Sequence, residues 1–248
     1  MNGLASKFLE LTDRRVDVWC VRIAASIATA ATFETILARD EMARADCLRF
    51  KDLRRLFIVS RAVLRTLVGK YLGSAPEDIR FKYGASGRPS VAGEVNLDFN
   101  VSHSGTLALF AFTLNGKVGV DVEQIRALGD IDDIAGRFFC AEEAAELKSV
   151  SSADRVRAFF SCWTRKEAYL KALGQGLGAP LDDFCVTLRP DAPARFLYIA
   201  NEVSHGWTLH NIEPAPHYAG ALAYHDVPRQ IRVLHDVEAA DLLRLIPG

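Results

Sequence analysis

Residues 157–174 read RAFFSCWTRKEAYLKALG, and after a loop they are followed by FCVTL at residues 184–188. Apolar side chains recur at helical spacing in this segment and Gly174 provides a stop, which predicts a long helix and then a strand. Residues 54–69, RRLFIVSRAVLRTLVG, and residues 79–81, IRF, repeat this order. The repetition predicts an α+β fold of two pseudo-symmetric halves, with residues 1–116 in the first half and residues 117–248 in the second.

Shorter patterns predict the other elements. Residues 16–21 alternate as a half-buried strand does, and residues 52–71 form the first long helix. Asn115-Gly116 is a strong signal for a hairpin that joins strands 106–114 and 117–123. Further helices are predicted at 35–44, 138–150 and 154–173, and further strands at 79–81, 97–101, 184–188, 196–199, 207–212 and 218–224.

Composition excludes several classes of protein. The chain of 248 residues has 30 basic and 31 acidic side chains, and a net charge of −1 gives no reason to expect nucleic-acid or membrane binding. The apolar run 23–33 is too short to span a bilayer, and nothing before it resembles a signal peptide. Five scattered cysteines without a C-x-x-C pair predict neither a disulfide framework nor a zinc site. We expect a protein of the reducing cytoplasm.

Two carboxylates lie two positions apart on a predicted strand. Asp121 and Glu123 should project from the same face of the sheet, where their repulsion favours a bound cation. Carboxylate oxygens suit Mg²⁺, which also accepts phosphate oxygens as ligands. Asp-x-Glu alone is a common pattern, so a metal site is one interpretation of it. The first half places Ala62 roughly where the second places Glu167, and we expect such a site in the second half alone.

The long helix of the second half adds a third carboxylate. Trp163, Glu167 and Lys171 are spaced at i, i+4 and i+8, so they line one face of the helix. A surface ion pair between Glu167 and Lys171 would also explain this spacing. The Trp on the same stripe argues against full exposure of that face.

Two further segments carry groups that can bind phosphate. The stretch Asn100-Val101-Ser102-His103-Ser104-Gly105 ends a strand with hydroxyls and an imidazole, which can bond phosphate oxygens or form a capping turn. Gly87-Arg88-Pro89 holds a guanidinium on a stiff turn, where a bidentate phosphate contact is geometrically easy. Neither pattern is specific by itself.

The order of five motifs is far more specific than any one of them. They are Gly87-Arg88-Pro89, Phe99-Asn100-Val101-Ser102-His103-Ser104, Gly119-Val120-Asp121-Val122-Glu123, Arg137-Phe138-Phe139 with Glu143, and Trp163-x-x-Lys166-Glu167-Ala168-x-x-x-Lys171. Together they resemble the Sfp-type 4′-phosphopantetheinyl transferase superfamily over residues 41–186. The resemblance implies that superfamily's fold, with the active site at the interface of the two halves.

The resemblance also implies a reaction. The phosphopantetheine arm of coenzyme A, the substrate, moves to a serine hydroxyl of an acyl, peptidyl or aryl carrier protein, and adenosine 3′,5′-bisphosphate is released. The ion is Mg²⁺, with Mn²⁺ as the alternative. The implied site has metal ligands Asp121, Glu123 and Glu167, catalytic residues Glu167, Lys171 and His103, and coenzyme A contacts from Arg44, Arg55, Arg88, Ser102, His103 and Lys171.

Within that implied site, Glu167 is the base for the serine hydroxyl, directly or through a metal-bound water, and Lys171 pairs with the α-phosphate. Arg88 stands where the family usually has Lys, and Leu56 interrupts a run that is often all arginine. Phe138-Phe139 and the helix after them resemble the surface on which carrier proteins dock.

Two other functions are compatible with the same residues. One is a Mg²⁺-dependent phosphohydrolase of nucleotide diphosphates, and the other is a coenzyme A-binding module without turnover. The presence of all three carboxylates and Lys171 argues against the second. The sequence does not identify the carrier protein, or whether it serves fatty acid, polyketide or nonribosomal peptide biosynthesis. Two halves within one chain make a monomer sufficient.

Overall fold

A computed structural model of the protein describes residues 10–23, 27–174, 180–199 and 206–243. The described residues form an α+β fold, as predicted. The strands are β1 (Arg15–Arg22), β2 (Phe81–Tyr83), β3 (Pro89–Val91), β4 (Leu97–Ser104), β5 (Leu107–Leu114), β6 (Val118–Gln124), β7 (Phe184–Val186), β8 (Phe196–Ile199), β9 (Trp207–Ile212), β10 (Tyr218–His225) and β11 (Gln230–Glu238). The α-helices are α1 (Ile27–Glu34), α2 (Arg39–Asp46), α3 (Lys51–Leu72), α4 (Ile131–Phe138), α5 (Ala141–Ser149), α6 (Ser152–Leu173) and α7 (Ala239–Leu243).

Two sheets form the centre of the molecule, one in each half. The first has the strand order β11-β1-β5-β4 and the second has the order β6-β10-β9. Each sheet is covered by a 22-residue helix, α3 in the first half and α6 in the second, which buries its apolar face. A third apolar cluster, which includes Val18, Leu109, Val120 and Leu222, packs the two sheets together.

The repetition predicted from the sequence is visible in the two long helices. Both end at a glycine in the left-handed conformation, Gly73 with φ 65° and Gly174 with φ 74°. A short 3₁₀ helix and a two-stranded hairpin follow each of them. In this register Glu167 corresponds to the buried Thr66, so the predicted correspondence with Ala62 is wrong by one helical turn.

Each half contains a buried ion pair, and the two pairs occupy corresponding positions. Glu41 Oε2 lies 2.6 Å from Arg65 Nε, and Glu143 Oε2 lies 2.8 Å from Lys166 Nζ. Both cations also donate to two carbonyl oxygens of the 3₁₀ segment that follows their helix. Because the Glu143–Lys166 pair is fully buried and Lys166 Nζ also donates to two carbonyl oxygens, Lys166 is a structural residue within its motif.

Each of these glutamates also caps the start of a helix, and each helix begins later than the sequence predicted. Glu41 accepts a bond from the backbone N–H of Ala38, and Glu143 accepts one from Cys140, as in a capping box. The helix predicted at 35–44 is therefore α2, preceded by a separate α1. The helix predicted at 138–150 is α5, preceded by a separate α4.

The hairpin predicted at Asn115-Gly116 is wrong. Asn115 has φ 49° and turns the chain, but the strands on either side do not pair with each other. β5 pairs with β1 and β4 on its two edges, and β6 pairs with β10 in the other sheet. Because both edges of β5 are occupied, the chain crosses to the second half at this turn.

The last strand does not lie with the half to which the sequence assigned it. β11 pairs in parallel with β1, and Ala239 and Leu242 of α7 are buried in the first core. Asp17 on β1 is fully buried and accepts a bond from Arg232 Nε on β11 at 2.9 Å. Strand β11, Gln230–Glu238, therefore completes the first sheet, although the predicted boundary at residues 116 and 117 put it in the second half.

The cysteines depart from expectation. Cys140, at the start of α5, and Cys185, on β7, form a disulfide with their Cα atoms 5.9 Å apart. Cys20, Cys47 and Cys162 are free thiols. The expectation of no disulfide framework failed because spacing along the chain does not show which thiols a fold brings together. Among the helices of the described ranges, none has the length and apolarity needed to cross a bilayer.

Candidate active site

The two halves are joined by a ladder of side-chain hydrogen bonds between β4 and β6. Alternate residues of β4 use side-chain oxygens to accept bonds from alternate backbone N–H groups of β6. The pairs are Asp98 with Val118 at 3.0 Å, Asn100 with Val120 at 3.0 Å, Ser102 with Val122 at 3.3 Å and Ser104 with Gln124 at 3.1 Å. This β4–β6 ladder sets the register between the halves and positions the two carboxylates of β6.

Two hydroxyls of the ladder also hold those carboxylates. Ser102 Oγ donates to Asp121 Oδ1 at 2.7 Å, and Ser104 Oγ donates to Glu123 Oε2 at 2.8 Å. Lys171 Nζ lies 2.6 Å from Asp121 Oδ1 and donates to Ser102 Oγ at 2.9 Å. The Ser102 hydroxyl thus donates once and accepts twice, which uses its full capacity. Its predicted contact with coenzyme A stays a prediction, and in this structure it orients Asp121.

Helix α6 lies unusually close to β6 at Gly119. A Cβ atom on this residue would be 2.1 Å from the carbonyl oxygen of Ala168 and 2.4 Å from the backbone nitrogen of Ala172. Only glycine leaves room for the helix backbone at this distance. The close approach brings Glu167 and Lys171 to the carboxylates of β6.

Glu167 faces the carboxylates of β6. Burial raises the pKa of Glu167, and the neighbouring Asp121 and Glu123 raise it further. Burial likewise raises the pKa of Glu123, and Asp121 again adds like charge. Lys171 pairs with Asp121, so a simple surface pair with Glu167 does not account for the helix stripe.

The three carboxylates fit a hard divalent cation. Asp121 Oδ2 is buried and has no hydrogen-bond partner among the described residues. Oxygen donors of this kind suit Mg²⁺. Among the described residues, the three potential ligand atoms that lie within 4.8 Å of one another belong to Cys140, Glu143 and Cys185 rather than to this triad. The three carboxylates repel one another, and Lys171 pairs with one of them, Asp121.

A basic cavity of about 230 Å³ lies beside His103. It is lined by Arg44, Phe57, Ser60, Arg61, Leu64, Pro89, Val101 and His103. The side chain of Arg61 is 10% exposed, and its Nη1 atom is buried without a hydrogen-bond partner among the described residues. Desolvation lowers the pKa of His103, and the Lys171 ammonium lowers it further. Sequence reasoning missed Arg61, although it lies on α3 one helical turn beyond Phe57, which lines the same cavity.

A larger cavity of about 300 Å³ adjoins the first. It is lined by Ser86, Gly87, Arg88, Pro89, Phe99, Asn100, Val101, Glu167, Leu170, Lys171 and Gly174. Both cavities share Pro89 and Val101. Lys171 and Glu167 line the wall of the larger one, so the acidic site opens onto an extended groove with a basic end.

Three predicted residues have partners within the protein. Arg88 Nη1 and Nη2 donate to backbone carbonyls and to Asp98, so its contact with a phosphate stays a prediction. Arg55 pairs with Asp52 and does not line the basic cavity. Phe139 is buried and stacks on Phe159, which leaves only the half-buried Phe138 near the surface.

Comparisons with known proteins identify the family of this chain. Residues 117–223 match the 4′-phosphopantetheinyl transferase superfamily, and residues 26–115 match the N-terminal region of 4′-phosphopantetheinyl transferases. The 4′-phosphopantetheinyl transferase HetI of Nostoc sp. is 34% identical over 218 residues, which cover 87% of this chain and 90% of that protein. The chain belongs to the 4′-phosphopantetheinyl transferase superfamily.

Other relatives of this transferase are more distant. The 4′-phosphopantetheinyl transferase Sfp of Bacillus subtilis is 26% identical over 77% of the transferase and 85% of the relative. A solved holo-(acyl-carrier-protein) synthase from Bacillus anthracis, in complex with CoA (3′,5′-ADP), covers 45% of the transferase and 96% of the synthase. Its sequence identity is 17% and its TM-score is 0.37.

Proposed function

We propose that this enzyme transfers the 4′-phosphopantetheine arm of coenzyme A to a serine of a carrier protein, and that the acidic site between its two halves performs the reaction. Membership of the superfamily supports the transfer to carrier proteins. One observation carries the assignment of the site. The basic cavity and the larger cavity share Pro89 and Val101 and so form one groove, and the wall of the larger cavity carries Glu167 and Lys171, whose ammonium pairs with Asp121.

Coenzyme A fits this groove by its charge distribution. Arg44, Arg61 and His103 can bind the phosphate on the nucleotide, because their donors line the basic cavity. Lys171 lines the larger cavity, which adjoins the basic one, and can pair with the diphosphate. The pantetheine arm, which carries no charge, then occupies the larger cavity beside Leu170.

The proposed chemistry is attack on a diphosphate. The serine oxygen of the carrier forms a bond to the phosphorus that bears pantetheine, the P–O bond to the nucleotide breaks, and adenosine 3′,5′-bisphosphate leaves. Glu167 accepts the serine proton, for which its raised pKa is suited. Mg²⁺ held by Asp121, Glu123 and Glu167 would neutralise charge on the diphosphate oxygens, with Mn²⁺ as the alternative ion. Lys171 supplies a fixed positive charge beside them.

The carrier would approach near α4 and α5. Phe138 is half-buried there and lies under the exposed guanidinium of Arg137, at 5.2 Å from ring centroid to Cζ. An apolar ring next to a cation suits an acidic helix of a carrier. Phe139 is excluded from this surface because it belongs to the core.

The function is tested with Glu167→Gln and Asp121→Ala. Each variant should fold as the wild type does and lose carrier modification by about a hundredfold or more, because one removes the base and the other a metal ligand. The measurement is the mass shift of a panel of carrier proteins incubated with coenzyme A and Mg²⁺. Glu94→Gln, at an exposed turn, is the matched control.

Two outcomes would contradict the proposal. Transfer at the wild-type rate in either variant would remove the carboxylates from the mechanism. Release of nucleotide from coenzyme A without a carrier would instead favour a phosphohydrolase, and binding of coenzyme A without turnover would favour a non-catalytic module.

A further inference from the structure

Arg88 connects separate segments at the wall of the larger cavity. Nη2 donates to both carboxylate oxygens of Asp98 at 3.0 Å and to the carbonyl oxygens of Phe99 at 2.9 Å and Val118 at 3.0 Å. Nη1 donates to the carbonyl oxygen of Lys171 at 2.7 Å. Its loop is thereby attached to β4, to β6 and to the last turn of α6.

The contact with α6 lies in the last turn of the helix. The carbonyl oxygen of Lys171 accepts one bond from the backbone N–H of Gly174 at 3.2 Å, and Arg88 uses its second lone pair. Arg88 Nη1 reaches the carbonyl oxygens of Lys171 and Ala172, at 2.7 Å and 3.5 Å. A cation at this end also interacts favourably with the helix dipole. The end of α6 is therefore held from the first half of the molecule.

Lys171 is held at both of its ends. Its carbonyl oxygen accepts from Arg88, and its ammonium lies 2.6 Å from Asp121 Oδ1. A rotation or shift of the last helical turn would move the ammonium away from the acidic site. Asp98 belongs both to the β4–β6 ladder and to the contacts of Arg88, so the same pair relates the end of α6 to the register of β6.

We infer that Arg88 is a positioning residue for the transfer reaction, which sets the place of the Lys171 ammonium by binding the end of α6. The inference rests on the proposed function. Although the family usually has Lys here, a lysine could not make the contacts that Arg88 makes in this protein, because a single ammonium cannot donate from two separated nitrogens to acceptors on opposite sides. A residue that bound substrate phosphate as a point charge would tolerate lysine.

The test compares Arg88→Lys and Arg88→Gln in steady-state transfer to a carrier. Both variants should lower kcat about tenfold or more and leave the KM for coenzyme A within about threefold, since a misplaced group costs rate. Arg14→Gln, at an exposed arginine far from the site, should change neither. A raised KM in Arg88→Gln, with kcat unchanged and full rescue in Arg88→Lys, would overturn the inference in favour of a direct phosphate contact.

A second readout does not depend on activity. Lysines are ¹³C-methylated, and the NMR signal of Lys171 is assigned by its loss in Lys171→Arg. The signal should shift in Arg88→Gln and stay in place in Arg14→Gln, and an unshifted signal in folded Arg88→Gln would overturn the inference. If the wild type modifies no carrier, the proposed function fails, and this signal alone decides whether Arg88 positions Lys171.

Discussion

At the scale of single residues, Arg61 has a buried guanidinium nitrogen that a bound ligand could satisfy. Its guanidinium lies 5.5 Å from the ring centroid of Phe57, 5.6 Å from that of Phe81 and 5.8 Å from that of Tyr83. Burial lowers its pKa, and its Nη1 atom has no protein partner in the described ranges. A buried donor without a partner costs free energy. A phosphate in the basic cavity would satisfy it.

Replacing Arg61 should therefore weaken the binding of coenzyme A more than that of a substrate without the 3′-phosphate. Arg61→Gln should raise the KM for coenzyme A about tenfold or more, which is the loss expected for hydrogen bonds to a charged group. Dephospho-coenzyme A, which lacks the 3′-phosphate, should be affected much less. Arg49→Gln, at an exposed arginine, is the control. An equal loss for both substrates would show that Arg61 supports the fold rather than the phosphate.

At the scale of elements, β4 and β6 are joined by side-chain oxygens of β4, which accept the N–H bonds that backbone carbonyl groups accept in an ordinary sheet. Each rung depends on an acceptor of the right length at every second position of β4, which explains the polar alternation within Leu97–Ser104. The same strand that carries the Ser-His motif therefore also sets the position of Asp121. Within the described ranges, Asn100 is the rung whose side chain has no second partner group, and it is 7% exposed.

Removing that rung should destabilise the protein. Asn100→Ala leaves the buried N–H of Val120 without an acceptor, and the free energy of unfolding should fall by about 1–3 kcal/mol. Urea denaturation measures the change. Asn96→Ala, in an exposed loop just before β4, should alter it far less. Equal effects of the two substitutions would mean that the ladder does not join the halves.

At the scale of the whole molecule, the chain passes from one half to the other twice. The chain crosses at Asn115, and β11 returns to pair with β1. Three ion pairs between described residues connect these strands. Arg232 with Asp17 is largely buried, whereas Arg22 pairs with Asp236 and Glu238 at the surface. Closure of the first sheet therefore depends on a strand far along the chain.

The buried and the exposed ion pairs should differ when broken. Arg232→Gln removes one of two arginine partners of the fully buried Asp17, which keeps Arg15 at 3.3 Å, so the free energy of unfolding should fall by about 1.5–3 kcal/mol and Tm by about 3–10 °C. Arg22→Gln breaks only solvent-exposed pairs and should shift Tm by no more than about 2 °C. Calorimetry decides between them. Similar shifts for both variants would refute the assigned role of β11.

The local sequence pattern was sufficient to predict the long helices and the placement of the two β6 carboxylates on one face. It was also sufficient to identify the family. Helical and strand periods are properties of neighbouring residues, so α3, α6 and the relation of Asp121 to Glu123 could be derived from the sequence. The order of motifs likewise identified the superfamily, since it does not depend on how the strands pair.

Tertiary structure decided which groups meet. The sequence could not show that Asn115-Gly116 leads to another sheet, that β11 joins β1, or that Cys140 meets Cys185. Nor could it show that Arg88 is bonded to protein carbonyls or that the Arg61 guanidinium lies in the basic cavity. Strand edges and buried polar groups are satisfied by partners distant in sequence, and only the folded chain determines those partners.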